Sequence, residues 1–187
     1  MKATETPLEG VVIIEPDVYR DERGYFMETW NRERYAAVGL DVSFVQDNVS
    51  RSKNGVLRGM HFQVAPRGQG KLVSVLEGEI YDVAVDLRAD SPTFARWFGT
   101  HLSGENRRQL YIPEGFAHGF VVTGETALVL YKCTEIYSPE HERSLAWDDP
   151  EIGIEWPVAE PLLSPKDRAA PRLSELAMVR QRSGSAT

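Results

Sequence analysis

Apolar residues along this chain recur in short runs, each closed by a turn signal. VVIIEP, GYFMETW, VSFVQ, KLVSVLEG, EIYDVAVDLR, ARWFGTHLS, QLYIPEG, HGFVVTGE and TALVLYKCTEIY follow one another, rich in β-branched and aromatic residues. That spacing predicts an all-β protein, a double-sheet jelly roll, in one domain spanning 1–187. LVSVL and IYDVAV have the length of sheet-core strands, and Glu77-Gly78 between them predicts a hairpin turn. VVIIEP and the following DERGYFMET predict a hairpin about the Asp21–Gly24 turn. A strand as apolar as VVIIEP invites aggregation unless it is covered. A second subunit is the expected cover, with about residues 1–30 serving dimerisation. Two short peripheral helices are predicted. Asn31 caps RERYAAVGL, which Gly39 stops, and Ser174 opens SELAMVRQR. Four prolines between Pro157 and Pro171 keep the preceding segment extended, and about residues 180–187 read as a flexible tail.

Charge and cysteine content narrow the function classes. Asp and Glu outnumber Lys and Arg by 28 to 21, a formal net charge of −7, which argues against a nucleic-acid or anionic-membrane partner. One cysteine, Cys133, excludes an intrachain disulfide and any cysteine-based zinc site. No apolar run approaches the ~20 residues that span a bilayer. The opening MKATETPLEG lacks the apolar core of a secretory signal, so the expected location is cytoplasmic.

The chemistry concentrates in GVLRGMHFQ. Gly55, five intervening residues and then His61 follow the spacing of a cupin metal motif, but Gln63 stands where a second histidine would be. Two imidazoles one residue apart would point the same way from a strand. The carboxylate of that motif would stand seven residues before Gly78, where this chain has Lys71. IPEGFAHGF carries the companion pattern at Pro113, Gly115 and His118. An ammonium has no lone pair to offer a metal. A pocket so altered suits an anion and proton chemistry without a metal. A metal-dependent oxygenase of the cupin type is disfavoured for the same reason.

FVQDNVSRSKNGVLRGMHFQ, KLVSVLEGEIYDVAVDLR, IPEGFAHGF, YKCTEIYSPEHE and LLSPKD, in unbroken order over roughly residues 8 to 172, resemble the dTDP-4-dehydrorhamnose 3,5-epimerase family. The resemblance implies a cupin-like jelly roll that epimerises a dTDP-linked 4-keto-6-deoxysugar with no metal or organic cofactor. It implies His61 as general base, oriented by Asp167. An imidazole titrates close to operating pH, and such a base needs an orienting carboxylate. Lys71 fits the stabiliser of the enolate, with Asp82 as a neighbour that could keep it charged. Tyr131, on its own merits a core aromatic of the LVLYKC run, matches the family's proton donor. For the substrate, Arg58 and Lys166 suit the diphosphate, and Tyr137 offers a face to the thymine. Gln46, Asn48, His118 and Glu142 match polar positions of the family pocket. Arg23, Phe26 and Glu28 lie in the hairpin that family members lend to a neighbouring subunit. Arg20, Arg51, Arg67, Arg107 and Arg108 read as solvated surface charge. Two rival readings share the scaffold: an epimerase of a single carbon, and a cupin that only binds a sugar nucleotide. Binding alone needs neither a base nor its orienter, so His61 and Asp167 together disfavour the second.

Overall fold

The computed structural model describes residues 1–176. Its strands are β1 (Lys2–Glu5), β2 (Val12–Glu15), β3 (Val18–Asp21), β4 (Gly24–Met27), β5 (Gln46–Lys53), β6 (Leu57–Gln63), β7 (Lys71–Asp86), β8 (Trp97–Ser103), β9 (Gln109–Ile112), β10 (Phe116–Cys133) and β11 (Glu142–Ser144). Helices α1 (Arg32–Ala36) and α2 (Pro165–Arg168) and a 3-10 turn at Leu173–Glu175 complete the described elements.

Two long strands, β7 and β10, carry the architecture. They pair with each other along their length, and each changes its outer neighbour halfway. The first half of β7 pairs with β9 and the second half with β8. The first half of β10 pairs with β6 and the second half with β5. Two sheets result, β1-β2-β9-β7-β10-β5 and β8-β7-β10-β6-β11, joined where β7 and β10 bend from one to the other. The expected double-sheet jelly roll is therefore present.

The bend corrects one expectation. Glu77-Gly78 makes no hairpin; β7 continues through it unbroken. Gly78 has φ +78°, and a Cβ there would lie 1.7 Å from the Thr126 carbonyl oxygen. The β7–β10 register slips beside it, between Val122 and Ala127. Glycine thus permits a bulge at the sheet corner, where the strand bends without ending.

Apolar residues on both faces of β7 have separate destinations. Val73 and Ile80 enter the core between the sheets with Leu110, Phe116, Phe120 and Val129. Leu72 points outward to Ile14, Tyr35 and Leu40. Val83 and Val85 meet Met60, Phe62, Leu145 and Leu173 on the other outer face. Helix α1 begins as expected: the Asn31 side chain accepts from the Arg34 backbone N–H at 3.1 Å. It holds Tyr35 in full burial, with its hydroxyl 2.7 Å from Gln109 Oε1.

The N-terminal expectation divides. β3 and β4 form the hairpin, with Asp21 opposite Gly24. VVIIEP, however, is covered within its own chain, since β2 lies between β1 and β9. Only the hairpin stands apart, as a separate two-stranded sheet. Its Tyr19, Tyr25 and Phe26 are 56%, 49% and 66% exposed. Arg107 is no solvated charge: its guanidinium stacks 3.6 Å from the centre of the Tyr25 ring. Of the VSFVQ run only Gln46 joins a strand, which continues through polar residues to Lys53. Of the helix predicted from Ser174, residues 177–182 lie outside the described residues, as does the 180–187 tail. No helix among the described residues is long and apolar enough to cross a membrane.

Candidate active site

A cavity of about 350 Å³ opens between the sheets, and the strand registers decide what enters it. His61 on β6 and His118 on β10 are cross-strand partners. Lys71 on β7 faces Cys133 on β10, and Tyr131, two residues earlier, faces Val73 of the interior core. Because side chains alternate along a strand, Lys71, Tyr131 and Cys133 share the inward face.

Each histidine has its own aspartate. His61 Nε2 lies 2.6 Å from Asp167 Oδ1. The short helix α2 presents that carboxylate. Ser164 caps it by accepting the Asp167 N–H at 3.1 Å, and Pro165 supplies a preset first turn. Burial pushes the Asp167 pKa up, but the hydrogen bond and charge of His61, with help from Ser164 and Lys166, hold it below the usual carboxylate value. His61 Nδ1 has no hydrogen-bond partner among the described residues. His118 Nε2 lies 2.7 Å from Asp82 Oδ1. So Asp82 serves His118, which corrects the sequence expectation that it pairs with Lys71. Burial raises its pKa against the opposing pull of His118, and its Oδ2 has no partner among the described residues.

Lys71 makes no hydrogen bond or ion pair among the described residues. Burial pulls its ammonium pKa down, while Cys133 and Glu142 push the other way. The Tyr131 hydroxyl lies 2.5 Å from Ser50 Oγ. Burial pushes its pKa up to about 12 against the pull of Ser50 and Arg58, so the phenol stays protonated at neutral pH. Arg58 Nε donates to Ser52 Oγ at 2.9 Å.

At the mouth, Lys166 Nζ pairs with Glu142 at 2.6 Å, and the exposed Tyr137 donates its hydroxyl to Glu142 at 2.8 Å. Burial would raise the Glu142 pKa, but the contacts of Lys166 and Tyr137 hold it down. Gln46 Oε1 accepts the Tyr137 backbone N–H at 2.8 Å, and Gln46 Nε2 donates to Asn48 at 3.0 Å. Gln63 does not face the cavity as a vestigial ligand. Its amide donates to the Arg67 and Ile136 carbonyls and accepts the Ser138 N–H, fixing the loop that bears Tyr137. No three His, Cys, Asp or Glu side chains converge in a way that could hold a metal among the described residues.

Of the residues singled out from sequence, His61, Lys71, Tyr131, Asp167, Asn48, Arg58, His118 and Lys166 line the cavity. Gln46, Tyr137 and Glu142 form its rim network. Arg23, Phe26 and Glu28 are not brought to it within one chain: Arg23 binds Asp21 of its own hairpin, and Glu28 binds Arg34. Ser50, Gln69, Phe120, Cys133 and Ser164 also line the cavity and escaped the sequence reading. Alternation from Asn48 would have flagged Ser50, and the Ser-Pro helix start before Asp167 would have flagged Ser164.

The match to a family model settles the lineage. Residues 5–175 match the model described as dTDP-4-dehydrorhamnose 3,5-epimerase. The chain belongs to that family. A dTDP-4-dehydrorhamnose 3,5-epimerase of Methanothermobacter thermautotrophicus is 57% identical over 167 residues, 88% of this chain and 90% of that one. A dTDP-4-dehydrorhamnose 3-epimerase of Streptomyces niveus is 40% identical over 94% of this chain and 85% of its own. The crystal structure of the Legionella pneumophila dTDP-6-deoxy-D-glucose-3,5-epimerase, in complex with dTDP-4-keto-L-rhamnose, superimposes with a TM-score of 0.90 at 51% identity, covering 94% of each chain. The cupin-like fold and the family resemblance read from the sequence are both borne out. For a 3,5-epimerase family member, the paired dyads and Lys71, which has no partner among the described residues, are the groups around one cavity available for proton chemistry.

Proposed function

We propose that this chain is a dTDP-4-dehydrorhamnose 3,5-epimerase. It converts dTDP-4-dehydro-6-deoxyglucose to dTDP-4-dehydrorhamnose, with neither metal nor organic cofactor. The observation that carries the reading is the His61–Asp167 dyad beside Lys71, which has no partner among the described residues, in a single cavity. Protons on C3 and C5 flank the C4 ketone, so removing either leaves an enolate whose charge sits on the C4 oxygen. His61, with Nε2 engaged by Asp167, offers the lone pair of Nδ1 to that proton. The Lys71 ammonium receives the oxygen's developing charge, in surroundings where charge acts more strongly than in water. Tyr131, protonated at neutral pH, returns a proton to the opposite face of the carbon. Arg58 and Lys166 hold the diphosphate, Tyr137 the thymine, and Gln46, Asn48, His118 and Glu142 the remaining polar groups.

Proton NMR of the sugar nucleotide in heavy water tests this directly. The parent protein should place deuterium at C3 and C5 and invert both. Tyr131→Phe keeps the base and loses the donor, so exchange should outlast inversion, chiefly at C5. Deuterium at C3 alone in the parent would make the chain a 3-epimerase, as the Streptomyces niveus relative is named. Unchanged inversion in the variant would make Tyr131 a packing residue.

The working form in this proposal is a homodimer. An exposed apolar hairpin that leaves its own cavity untouched supports it, since such a surface asks for a partner. Arg23 and Phe26 would then complete the other subunit's site. Phe26→Asp should leave the chain folded, with a parent-like far-UV circular dichroism spectrum, because the side chain is exposed within its own chain. It should shift the mass in light scattering toward monomer and weaken dTDP binding in calorimetry. A dimer of parent affinity from that variant would sink the assignment. The setting is the cytoplasm: a doubly charged diphosphate does not cross a bilayer unaided, so its enzyme shares the compartment of its synthesis.

A further inference from the structure

The inward face of β5 is polar where a core strand would be apolar, and each polar group there reaches a residue of the cavity. Asn48 Nδ2 contacts Cys133 Sγ at 3.6 Å, Ser50 Oγ lies 2.5 Å from the Tyr131 hydroxyl, and Ser52 Oγ accepts from Arg58. On the strand ladder Asn48 faces Tyr131 and Ser50 faces Val129, so Ser50 reaches the phenol diagonally. The Tyr131 ring is held by His118 and Phe120, with ring centres 6.4 and 6.2 Å away. Its hydroxyl has one hydrogen-bond partner among the described residues, Ser50.

We infer that Ser50 is a positioning residue for inversion at C5, acting only through the Tyr131 phenol. The inference rests on the reading of Tyr131 as proton donor. A phenol that gives its proton to carbon becomes a phenolate in a largely apolar cavity, and a buried anion needs a donor. The Ser50 O–H is in place to donate to that oxygen as the phenol's own proton leaves. The carbon gains one proton, the phenolate keeps the electron pair, and the serine hydroxyl stays intact. Before transfer, the same contact fixes the direction in which the phenol points. Arg58, whose charge also acts on the phenol, favours the same anion without a hydrogen bond to it. Removal of the proton by His61 needs none of this, so Ser50 should leave exchange alone and govern inversion.

The test is heavy-water NMR on the full-length parent, Ser50→Ala, Ser50→Thr, Tyr131→Phe and the Ser50→Ala/Tyr131→Phe pair. Ser50→Ala should keep deuterium uptake at C3 within about twofold and slow inversion at C5 by about ten- to a hundredfold, as for loss of a hydrogen bond to a charged group. Ser50→Thr keeps the hydroxyl and should recover C5 inversion to within a few-fold. In the Tyr131→Phe background, Ser50→Ala should add less than about a twofold effect, because the double-mutant cycle then has nothing left to couple. Parent-like C5 inversion in Ser50→Ala overturns the inference while leaving the Tyr131 assignment standing. A further loss in the double variant also overturns it, since Ser50 would then act by another route. Parent-like inversion in Tyr131→Phe removes the donor role itself, and this inference with it. A Ser50→Thr as impaired as Ser50→Ala would assign the defect to packing.

Discussion

His61→Asn is expected to lower epimerisation by at least the ~10²-fold typical of a lost general base, and to abolish deuterium uptake at C3 and C5 alike. The asparagine amide stands at the level of the lost Nδ1 but is no base, and it is too short to reach Asp167 as Nε2 does. Asp167→Asn should be nearly as damaging by a different route. The imidazolium formed on proton capture then loses the carboxylate that steadies it, and the ring loses the partner that keeps its proton on Nε2. The two residues are coupled in stability as well. The Asp167 pKa is held below its ordinary 3.8 mainly by His61, against the pull of burial. A depressed carboxylate contributes stability that is fully present above its unfolded pKa and is lost as pH falls through the folded one. The parent's stability advantage over Asp167→Asn should therefore hold at neutral pH and close as pH falls below about 4. Both variants should bind dTDP as the parent does, because Arg58 and Lys166 are untouched. Titration calorimetry, turnover and urea melts at several pH values check the three parts. Near-parent turnover by either variant would show that the base lies elsewhere.

Much of this site is legible in the amino-acid sequence, for physical reasons that differ from residue to residue. His61 and Lys71 stood out because a strand motif with fixed spacing carried the wrong chemistry for a metal at Gln63 and Lys71. The dyad partner was not legible from spacing. Asp167 lies 106 positions away and reaches His61 from a four-residue helix, so only the family resemblance named it. Gln63 reads as a lost ligand, yet its amide is spent on the Arg67 carbonyl and on the 134–138 loop, which no local pattern announces. Strand existence was clear, but strand continuity was not. Gly78 and the Thr123–Thr126 stretch look like turn chemistry, and a sheet corner uses the same residues to bend a strand without ending it. Strand β5 escaped for the opposite reason. Its inward Asn48 and Ser50 line a cavity and Ser52 accepts from Arg58 at its edge, so the apolar alternation that marks a buried strand is missing. Arg107 reads as solvent charge by composition and is instead committed to Tyr25, a contact between segments 82 residues apart.

Lys71→Met should separate activity from stability more sharply than any other change in the cavity. Removing the cation that meets the enolate oxygen should cost about 10²- to 10³-fold in turnover, the scale of losing one preorganised oxyanion contact. Stability should move the other way. The ammonium is desolvated and has no carboxylate partner among the described residues, and burial lowers its pKa. The sign follows from proton counts. Between the lowered folded value and the ordinary 10.5, the unfolded chain binds more protons than the folded one, so stability rises with pH across that interval. Below it the lysine is charged in both states and the full desolvation penalty weighs on the fold. Methionine has similar length, no charge and an apolar affinity for Phe120 and the core beside it, so the variant should melt at a higher temperature than the parent at pH 7. That advantage should shrink as pH approaches 10.5. Calorimetric melts at pH 7 and pH 10, run beside turnover measurements, give both axes. A variant that is slower and less stable at pH 7 would mean that Lys71 holds the cavity together. One that is more stable and fully active would mean that the enolate finds its charge partner elsewhere. Loss of turnover with a gain in melting temperature is the signature of a cation kept in an unfavourable place for the reaction it serves.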